Sequence, residues 1–422
     1  MLSINKTYCA LFFVTLLLQI PGVHPFLGYA DELVVLVMLV VMFLDIVINR
    51  NFTRYKPIYV VALIFFAYFL FTIAFRDFNT KMAAFNDFIL QQKAYLPLLV
   101  SYAIAPQFSP RLKNAMKKVC IVNAGIVLMA FACGVFEDVL VHVLNAGVVC
   151  FTSFLVYLYC SIDDDGMVSR KDLFTALAIL TVGLTSTRSK FYGEYVIIYF
   201  MLFLYKPGLF KSFNFKGVLL IVALMGAVVL AAWQKIEYYY ITGTAGVYDP
   251  EAMETYARPV LYMTMFFILL DYPLLGSGLA SFATHSSSPH VHYSDLYHQY
   301  GIDVVYGLSP AMPDFINDAF FAQFAQFGII GIVLFIYYWK WIYGKLRLKL
   351  HEGGVLEFSI GIIIIAFAMI ESTSGSMIIK FGGLLPLMLL GMIISKYRTI
   401  DKEKKKKILM TNPLTDKRYG QY

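Results

Sequence analysis

Two isolated arginines on separate segments are the residues best suited to chemistry. Arg188 lies in "LTSTRSKFYGEYV" between two apolar runs, with Lys190 two positions later, and Arg258 precedes the apolar segment "VLYMTMFFILL". A guanidinium is a planar fork of donors that suits phosphate, and each charge-assisted hydrogen bond contributes roughly 1.5–3 kcal/mol. The pair therefore predicts an anion site, with convergence on one diphosphate as the specific hypothesis. From position alone, Arg188 could equally contact a lipid phosphate or a backbone carbonyl.

Five further residues belong to candidate sites by type. Asn317 and Asp318 precede a long apolar run, and Asp318 could either act as a general base or cap the following helix. Gly276 and Gly278, in "DYPLLGSGLASF", permit a tight turn with an exposed backbone that could contact substrate. Lys380 lies just inside the last apolar run, where an unpaired cation is costly, so it is a third candidate anion contact.

A histidine- and tyrosine-rich stretch, "HVHYSDLYH", follows the glycine turn. A His-x-His pair with a further histidine can bind zinc, whereas imidazole and phenol rings can also contact sugar faces. Sugar contact by His290, His292 and Tyr297 is preferred to a metal site, polar surface without a ligand is the alternative, and no metal is expected.

The elements that position these residues must be membrane helices. The 422 residues are 59% hydrophobic and only 14% charged, and the mean hydropathy is +0.70. A soluble domain cannot hide so much apolar surface, and runs of about 17 to 25 apolar residues match a hydrocarbon core about 30 Å thick. The sequence therefore predicts an all-α integral membrane protein. No nucleic-acid partner is expected despite the formal charge of +7, because the basic residues cluster in short loops between apolar runs.

The apolar runs predict twelve spans with both termini in the cytoplasm. The predicted spans are 7–22, 33–48, 57–75, 94–106, 119–136, 139–160, 173–186, 191–205, 217–233, 319–339, 355–370 and 377–395. All but eight of the 34 Lys and Arg residues then lie on one face, which the positive-inside rule makes cytoplasmic. Arg188, Lys190, Arg258 and Lys380 are among the eight on the opposite, external face.

Four regions follow from this topology. They are an N-terminal membrane bundle of about nine spans (1–233), a large external loop with an interfacial helix (234–318), the C-terminal spans (319–395) and a basic cytoplasmic tail (396–422). The external loop is a candidate lid, because long loops in compact proteins are usually functional or disordered.

The order of the motifs resembles the O-antigen ligase and polymerase superfamily of bacterial envelope enzymes. The motifs are "TSTR" at the start of a span, an arginine before an amphipathic helix, a P-x-x-G-x-G-x-x-x-F turn, and a polar pair with "FGIIG". The resemblance implies a GT-C-type bundle in the bacterial cytoplasmic membrane and an inverting, metal-independent glycosyltransferase without cofactors. It also implies a glycan substrate on undecaprenyl diphosphate, with Arg188 and Arg258 at the positions of the family's diphosphate-binding arginines. A chain-length regulator and a flippase are partners that the resemblance suggests.

One departure from the family pattern bears on the reaction. Ligases carry a catalytic histidine eleven residues before the glycine that matches Gly328, and Asn317 occupies that position here. An amide cannot serve as a base at ordinary pH. The resemblance therefore favours a polymerase making O antigen, capsule or exopolysaccharide. A ligase that transfers glycan to lipid A-core and a lipid-linked sugar transporter or flippase are the alternatives.

Overall fold

The computed structural model describes residues 3–20, 29–163, 165–204, 256–351 and 353–395, together with three isolated positions. The predicted ninth span falls almost entirely outside the described residues, and the basic tail falls wholly outside them. In chain order the α-helices are α1 (Ile4–Leu17), α2 (Ala30–Asn49), α3 (Lys56–Phe75), α4 (Lys81–Gln92), α5 (Leu96–Ile104), α6 (Pro110–Ala132), α7 (Phe136–Leu140), α8 (Val143–Cys160), α9 (Arg170–Val182), α10 (Ser189–Tyr199), α11 (Ala257–Asp271), α12 (Asp295–Gln299), α13 (Gly328–His351), α14 (Val355–Ser372) and α15 (Phe381–Ser395).

Helices joined by turns and loops make up the described residues, which contain no strand apart from one isolated bridge between Ser309 and Met312. Among the described residues, four helices are long and apolar enough to cross a membrane: Phe52–Phe75, Pro110–Ala132, Gly328–Leu350 and Val355–Ser372. Shorter apolar helices accompany them, including α1 and α15. These helices are consistent with the predicted all-α membrane protein, while the count of twelve spans stays a prediction.

Polar side chains cap several helices where the sequence places serine or threonine. Thr80 accepts a hydrogen bond from the backbone N–H of Ala83 at the start of α4, and Ser109 accepts one from Leu112 at the start of α6. Each cap satisfies an N–H group that has no partner within the helix. Short capped helices such as α4 can therefore begin at a defined residue beside the membrane spans.

The main core lies around α8 and α15. Most side chains of both helices are buried, and the ring of Phe151 in α8 stacks on Phe367 in α14 with centroids 3.5 Å apart. A second apolar cluster lies under the predicted external segment, where Leu261 and Ile268 of α11 pack together with Phe282 of the loop. The predicted interfacial segment is therefore a helix, and it has its own core.

The tenth predicted span begins later than the sequence indicates. Residues Phe320–Gln326 form a 3-10 helix, and α13 starts only at Gly328, whose φ of 63° lies in the left-handed region. The backbone N–H groups of Ile329 and Ile330 donate to the carbonyls of Pro273 and Leu274. The first N–H groups of α13 thus find partners in the glycine turn, which is why the helix begins where that turn docks.

Candidate functional site

Arg258 forms an ion pair at the first turn of α11. Its Nη2 atom donates to Oδ2 of Asp318 at 2.7 Å, and its guanidinium carbon lies 5.6 Å from the centroid of the Phe315 ring. The Nε atom of Arg258 is buried and has no hydrogen-bond partner among the described residues. The guanidinium therefore keeps unused donor capacity beside the carboxylate.

Asp318 bridges two cations. While Oδ2 accepts from Arg258, Oδ1 lies 3.6 Å from Nζ of Lys380, and the side chain of Asp318 is 21% exposed against 56% for Lys380. The N-cap role considered for Asp318 is wrong, because the following 3-10 helix begins after Ala319 without a side-chain cap. Two predicted anion contacts and the candidate base thus lie together.

Asn317 belongs to a separate hydrogen-bond network. Its Oδ1 atom lies 2.7 Å from Oγ of Ser376 and accepts from Nε2 of Gln323 at 3.2 Å. The Gln323 Oε1 atom in turn accepts from Nε2 of Gln91 at 2.9 Å. Asn317 is therefore held in place by side chains from α4, the 3-10 helix and the turn before α15.

The network ends at Asp87, a residue that sequence reasoning missed. Asp87 is 1% exposed, its Oδ2 accepts from the backbone N–H of Ala280 at 2.9 Å, and its Oδ1 lies 3.3 Å from Nε2 of Gln91. Burial raises the pKa of Asp87 to about 6. Asp87 and Gln91 are four residues apart, and this spacing predicts that both lie on one face of a helix. Asp87 thus ties α4 to the loop after the glycine turn.

Arg188 and Lys190 lie at the start of α10 and differ in their hydrogen-bond and ion-pair partners. The side chain of Arg188 is half-buried and forms no hydrogen bond or ion pair with the described residues. Lys190 is paired, since its Nζ lies 2.5 Å from Oε2 of Glu371 and 3.4 Å from Oγ of Ser374. The buried Glu194 carboxylate, one turn further along α10, also interacts electrostatically with Glu371 and Lys190. Lys190 is thereby engaged in a structural ion pair.

The starts of α10 and α11 converge on the turn that ends α14. Lys190 contacts Glu371 and Ser374 there, and the hydroxyl of Tyr262, one turn after Arg258, donates to the carbonyl of Thr373 at 2.7 Å. The helices that begin with the two predicted arginines are therefore anchored to one short segment.

The packing of α10 depends on small residues opposite Phe191. A Cβ atom on Gly183 would lie 2.4 Å from the Phe191 ring, and one on Gly147 would lie 2.8 Å from it. The two glycines make room for the ring, which is 2% exposed. The segment from Thr187 to Lys190 is thereby placed beside the start of α8 and the end of α9.

The predicted exposed backbone at Gly276 and Gly278 is wrong. Both glycines are buried, and the N–H of Gly278 donates to the carbonyl of Gln326 while that of Gly276 donates to Tyr272. The Gly276 carbonyl accepts from the guanidinium of Arg76. Since these backbone groups are used within the protein, the turn joins two segments and does not present donors to a ligand.

Tyr297 cannot stack on a sugar in this arrangement. It is fully buried, its ring lies against Phe282 and Tyr293, and its hydroxyl accepts from the N–H of Ala283 at 2.8 Å. Tyrosine is favoured at such sites because a large ring fills the core while its hydroxyl finds a partner. The tyrosine that the sequence assigned to sugar contact thus belongs to the core of the loop.

The two predicted histidines are exposed on the segment that follows the glycine turn. The ring of His290 stacks on that of His285 with centroids 5.6 Å apart, and the carbonyl of His292 accepts from Nδ2 of Asn79 at 2.9 Å. Desolvation, followed by the neighbouring His290, lowers the pKa of His285. Among the described residues, no group of three or more His, Cys, Asp or Glu side chains could hold a metal ion. His290 and His292 remain accessible to a ligand.

A comparison with protein families matches part of this chain. Residues 173–336 match the family described as O-Antigen ligase. A comparison with curated proteins gave no match. The matched region holds Arg188, Arg258, Asn317, Asp318 and the glycine turn, whereas Lys380 lies beyond it. The motifs that pointed to this family from the sequence thus fall inside the match, and residues 173–336 of this multi-pass membrane protein are similar to the O-antigen ligase family.

Proposed function

We propose that this protein is a glycosyltransferase that polymerises lipid-linked oligosaccharide repeats on the external face of the cytoplasmic membrane. The donor is a glycan on undecaprenyl diphosphate, and Arg188 and Arg258 bind that diphosphate. The observation that carries the proposal is the position of the Asp318 carboxylate, 2.7 Å from Arg258 and 3.6 Å from Lys380. O antigen, capsule and exopolysaccharide are all products of this class.

The Asp318 carboxylate occupies the place that a phosphate group would take. Carboxylate and phosphate oxygens are both anionic acceptors, and guanidinium and ammonium groups bind either. Arriving diphosphate oxygens would compete with Asp318 for Arg258 and Lys380. The Nε atom of Arg258 is buried, so the diphosphate would reach the guanidinium through its Nη atoms.

The reaction follows from this exchange of anions. A hydroxyl of the incoming repeat attacks the anomeric carbon of the donor glycan, the bond from that carbon to the diphosphate oxygen breaks, and the configuration inverts. The displaced Asp318 carboxylate takes the hydroxyl proton. The departing diphosphate gains negative charge, so cations aimed at it stabilise the transition state more than the ground state.

Asn317 favours the polymerase over the ligase. The amide cannot take the proton that a histidine would accept, and its Oδ1 atom is already engaged by Ser376 and Gln323. The ligase remains the second candidate because the matched family bears that description. A transporter for the same lipid is the third, and it would require no bond to form.

Purified protein supplied with its lipid-linked repeat alone distinguishes these candidates. A ladder of polymer on a gel supports the polymerase. Product that forms only after lipid A-core is added supports the ligase. Substrate that stays chemically unchanged under both conditions contradicts the proposed glycosyl transfer.

Two variants test the assigned residues. Arg258→Ala should abolish polymer while lipid-linked single repeats still reach the external face, since only diphosphate binding is lost. Asp318→Asn should lower the polymerisation rate by roughly 10²–10⁴-fold, the usual contribution of a general base. Lys81→Ala removes an exposed external cation that has no partner among the described residues and should behave as wild type. Loss of externally exposed repeats in Arg258→Ala would point to transport.

A further inference from the structure

We propose that the cavity between α3 and α13 binds an anionic phospholipid, with the phosphate held by Arg54, Lys56 and Lys345. This inference is independent of the proposed glycosyl transfer. The bound lipid belongs to the leaflet opposite the candidate site, since Arg76 at the other end of α3 contacts Gly276 in the glycine turn.

The cavity has the length of a lipid chain. Its volume is about 680 Å³, and α3 lines it from Lys56 to Tyr68. At 1.5 Å per residue this stretch covers about 18 Å, which is more than half of a hydrocarbon core about 30 Å thick. Val60 and Tyr337 line it and are 46% and 67% exposed, so the cavity is accessible from the surrounding bilayer.

The walls of the cavity are aromatic and aliphatic. Phe65, Tyr95, Phe335, Tyr338 and Trp341 line it. These rings are packed against one another, with Tyr95 and Tyr338 centroids 5.0 Å apart. Rigid rings present a large apolar surface at low entropic cost, which suits a flexible hydrocarbon chain.

The two amides at the end of the cavity near the candidate site are not free to bind a head group. Gln91 and Gln323 line this end. The amide of Gln91 donates to Asp87 and Gln323, and that of Gln323 donates to Asn317 and Ser376. Because both N–H bonds of each amide are used, a phosphate at this end would find no hydrogen-bond donor from these two residues.

The opposite end of the cavity carries three basic side chains. Arg54, Lys56 and Lys345 line it, and their side chains form no hydrogen bond or ion pair with the described residues. No Asp or Glu lines the cavity along the part of the chain that the structure describes. This asymmetry orients an amphiphile with its phosphate at the basic end and its chain toward the amides. A polyprenyl carrier with its diphosphate at the candidate site would leave these cations unpaired.

Native mass spectrometry of the full chain in detergent tests the proposal. The wild-type protein, exchanged into equimolar phosphatidylglycerol and phosphatidylcholine, should retain phosphatidylglycerol at least tenfold more. The triple variant Arg54→Gln, Lys56→Gln, Lys345→Gln should retain roughly 10- to 100-fold less of the anionic lipid, given the usual attraction per basic residue. Equal retention of both lipids by the wild-type protein would overturn the proposal without any variant.

A matched control removes the same charge elsewhere. The control is the triple variant Lys118→Gln, Lys340→Gln, Arg347→Gln, whose three positions are exposed and lie outside the cavity. This variant should keep the lipid. If both triple variants lose it equally, overall charge and not the cavity binds the lipid.

A third variant addresses the chain. Ile64→Trp fills the cavity about two helical turns from Lys56 and should lower phosphatidylglycerol retention at least fivefold while thermal stability stays near wild type. Undiminished retention, or co-purification of a polyprenyl phosphate in place of the phospholipid, would contradict the assignment.

Discussion

Arg258 and Asp318 are sixty residues apart in the chain, yet Nη2 of one lies 2.7 Å from Oδ2 of the other. The two side chains are 36% and 21% exposed, so water still reaches the pair. An ion pair at such exposure stabilises the fold by about 1 kcal/mol at most. Its position between α11 and the start of the 3-10 helix thus suggests a role beyond stability.

Exchange of the two charges separates stability from activity. In the double variant Arg258→Asp, Asp318→Arg, the free energy of unfolding should stay within about 1 kcal/mol of the wild-type value because an ion pair can re-form. Polymer formation should still fall at least a hundredfold, since the cation and the base have changed places. Unfolding is followed by intrinsic fluorescence and polymer by gel. Recovery of activity together with stability would mean that the pair serves only to join two segments.

The Lys190–Glu371 pair should contribute much more to stability. Their side chains are 20% and 10% exposed, and buried Glu194 lies close by. Lys190→Met leaves these carboxylates without their cation, and we expect a loss of roughly 3–5 kcal/mol in unfolding free energy.

The double variant Lys190→Met, Glu371→Gln should recover at least half of that loss, and Lys340→Met at an exposed position of α13 is the control. An unchanged stability in Lys190→Met combined with loss of substrate binding would instead support the predicted role of Lys190 in contacting substrate.

Gly276 should tolerate no side chain. Its φ is 72°, and an added Cβ would lie 2.4 Å from the carbonyl oxygen of Ala325. Gly301 has a similar φ of 64° with open space around it. Gly301→Ala should therefore cost only the left-handed backbone strain of about 1–2 kcal/mol, whereas Gly276→Ala should cost clearly more. Equal melting temperatures of the two variants would show that the glycine turn can shift away from residues 325–328.

Asp87 should make stability depend on pH. Its pKa rises from the usual 3.8 to about 6 on folding, so the folded protein binds more protons than the unfolded chain between these values. The free energy of unfolding should therefore fall as the pH rises from about 4 to above 6, by roughly 3 kcal/mol in all.

Asp87→Asn cannot ionise and still accepts a hydrogen bond from Ala280, so its melting temperature should not show this decline. Asp77→Asn, at an exposed position, is the control and should keep the wild-type slope. An identical slope in wild type and Asp87→Asn would assign the titration to another group.

Several features could be predicted from the sequence because their cause is local. An apolar run of about twenty residues has no stable place except lipid, so membrane helices such as α3 and α14 follow from composition. The ordered motifs likewise indicated the family, and the match at residues 173–336 agrees with them. The positive-inside bias drew attention to Arg188 and Arg258 because their positions run against it.

Other features were decided only by the tertiary structure, since they rest on contacts between distant residues. Glycines occur both in solvent-exposed turns and in buried turns that pack against another segment. Only docking against residues 325–330 shows that Gly276 and Gly278 lie in a buried turn. The ring of Tyr297 suits both sugar contact and a protein core, and three-dimensional packing places it in the core. Asp87 and Gln323 are 236 positions apart in the chain, yet both form hydrogen bonds with Gln91. Neither residue belongs to a recognisable sequence motif. Local sequence thus determined which segments enter the membrane, while long-range packing determined which charged and polar groups meet, because side-chain proximity depends on how the helices assemble.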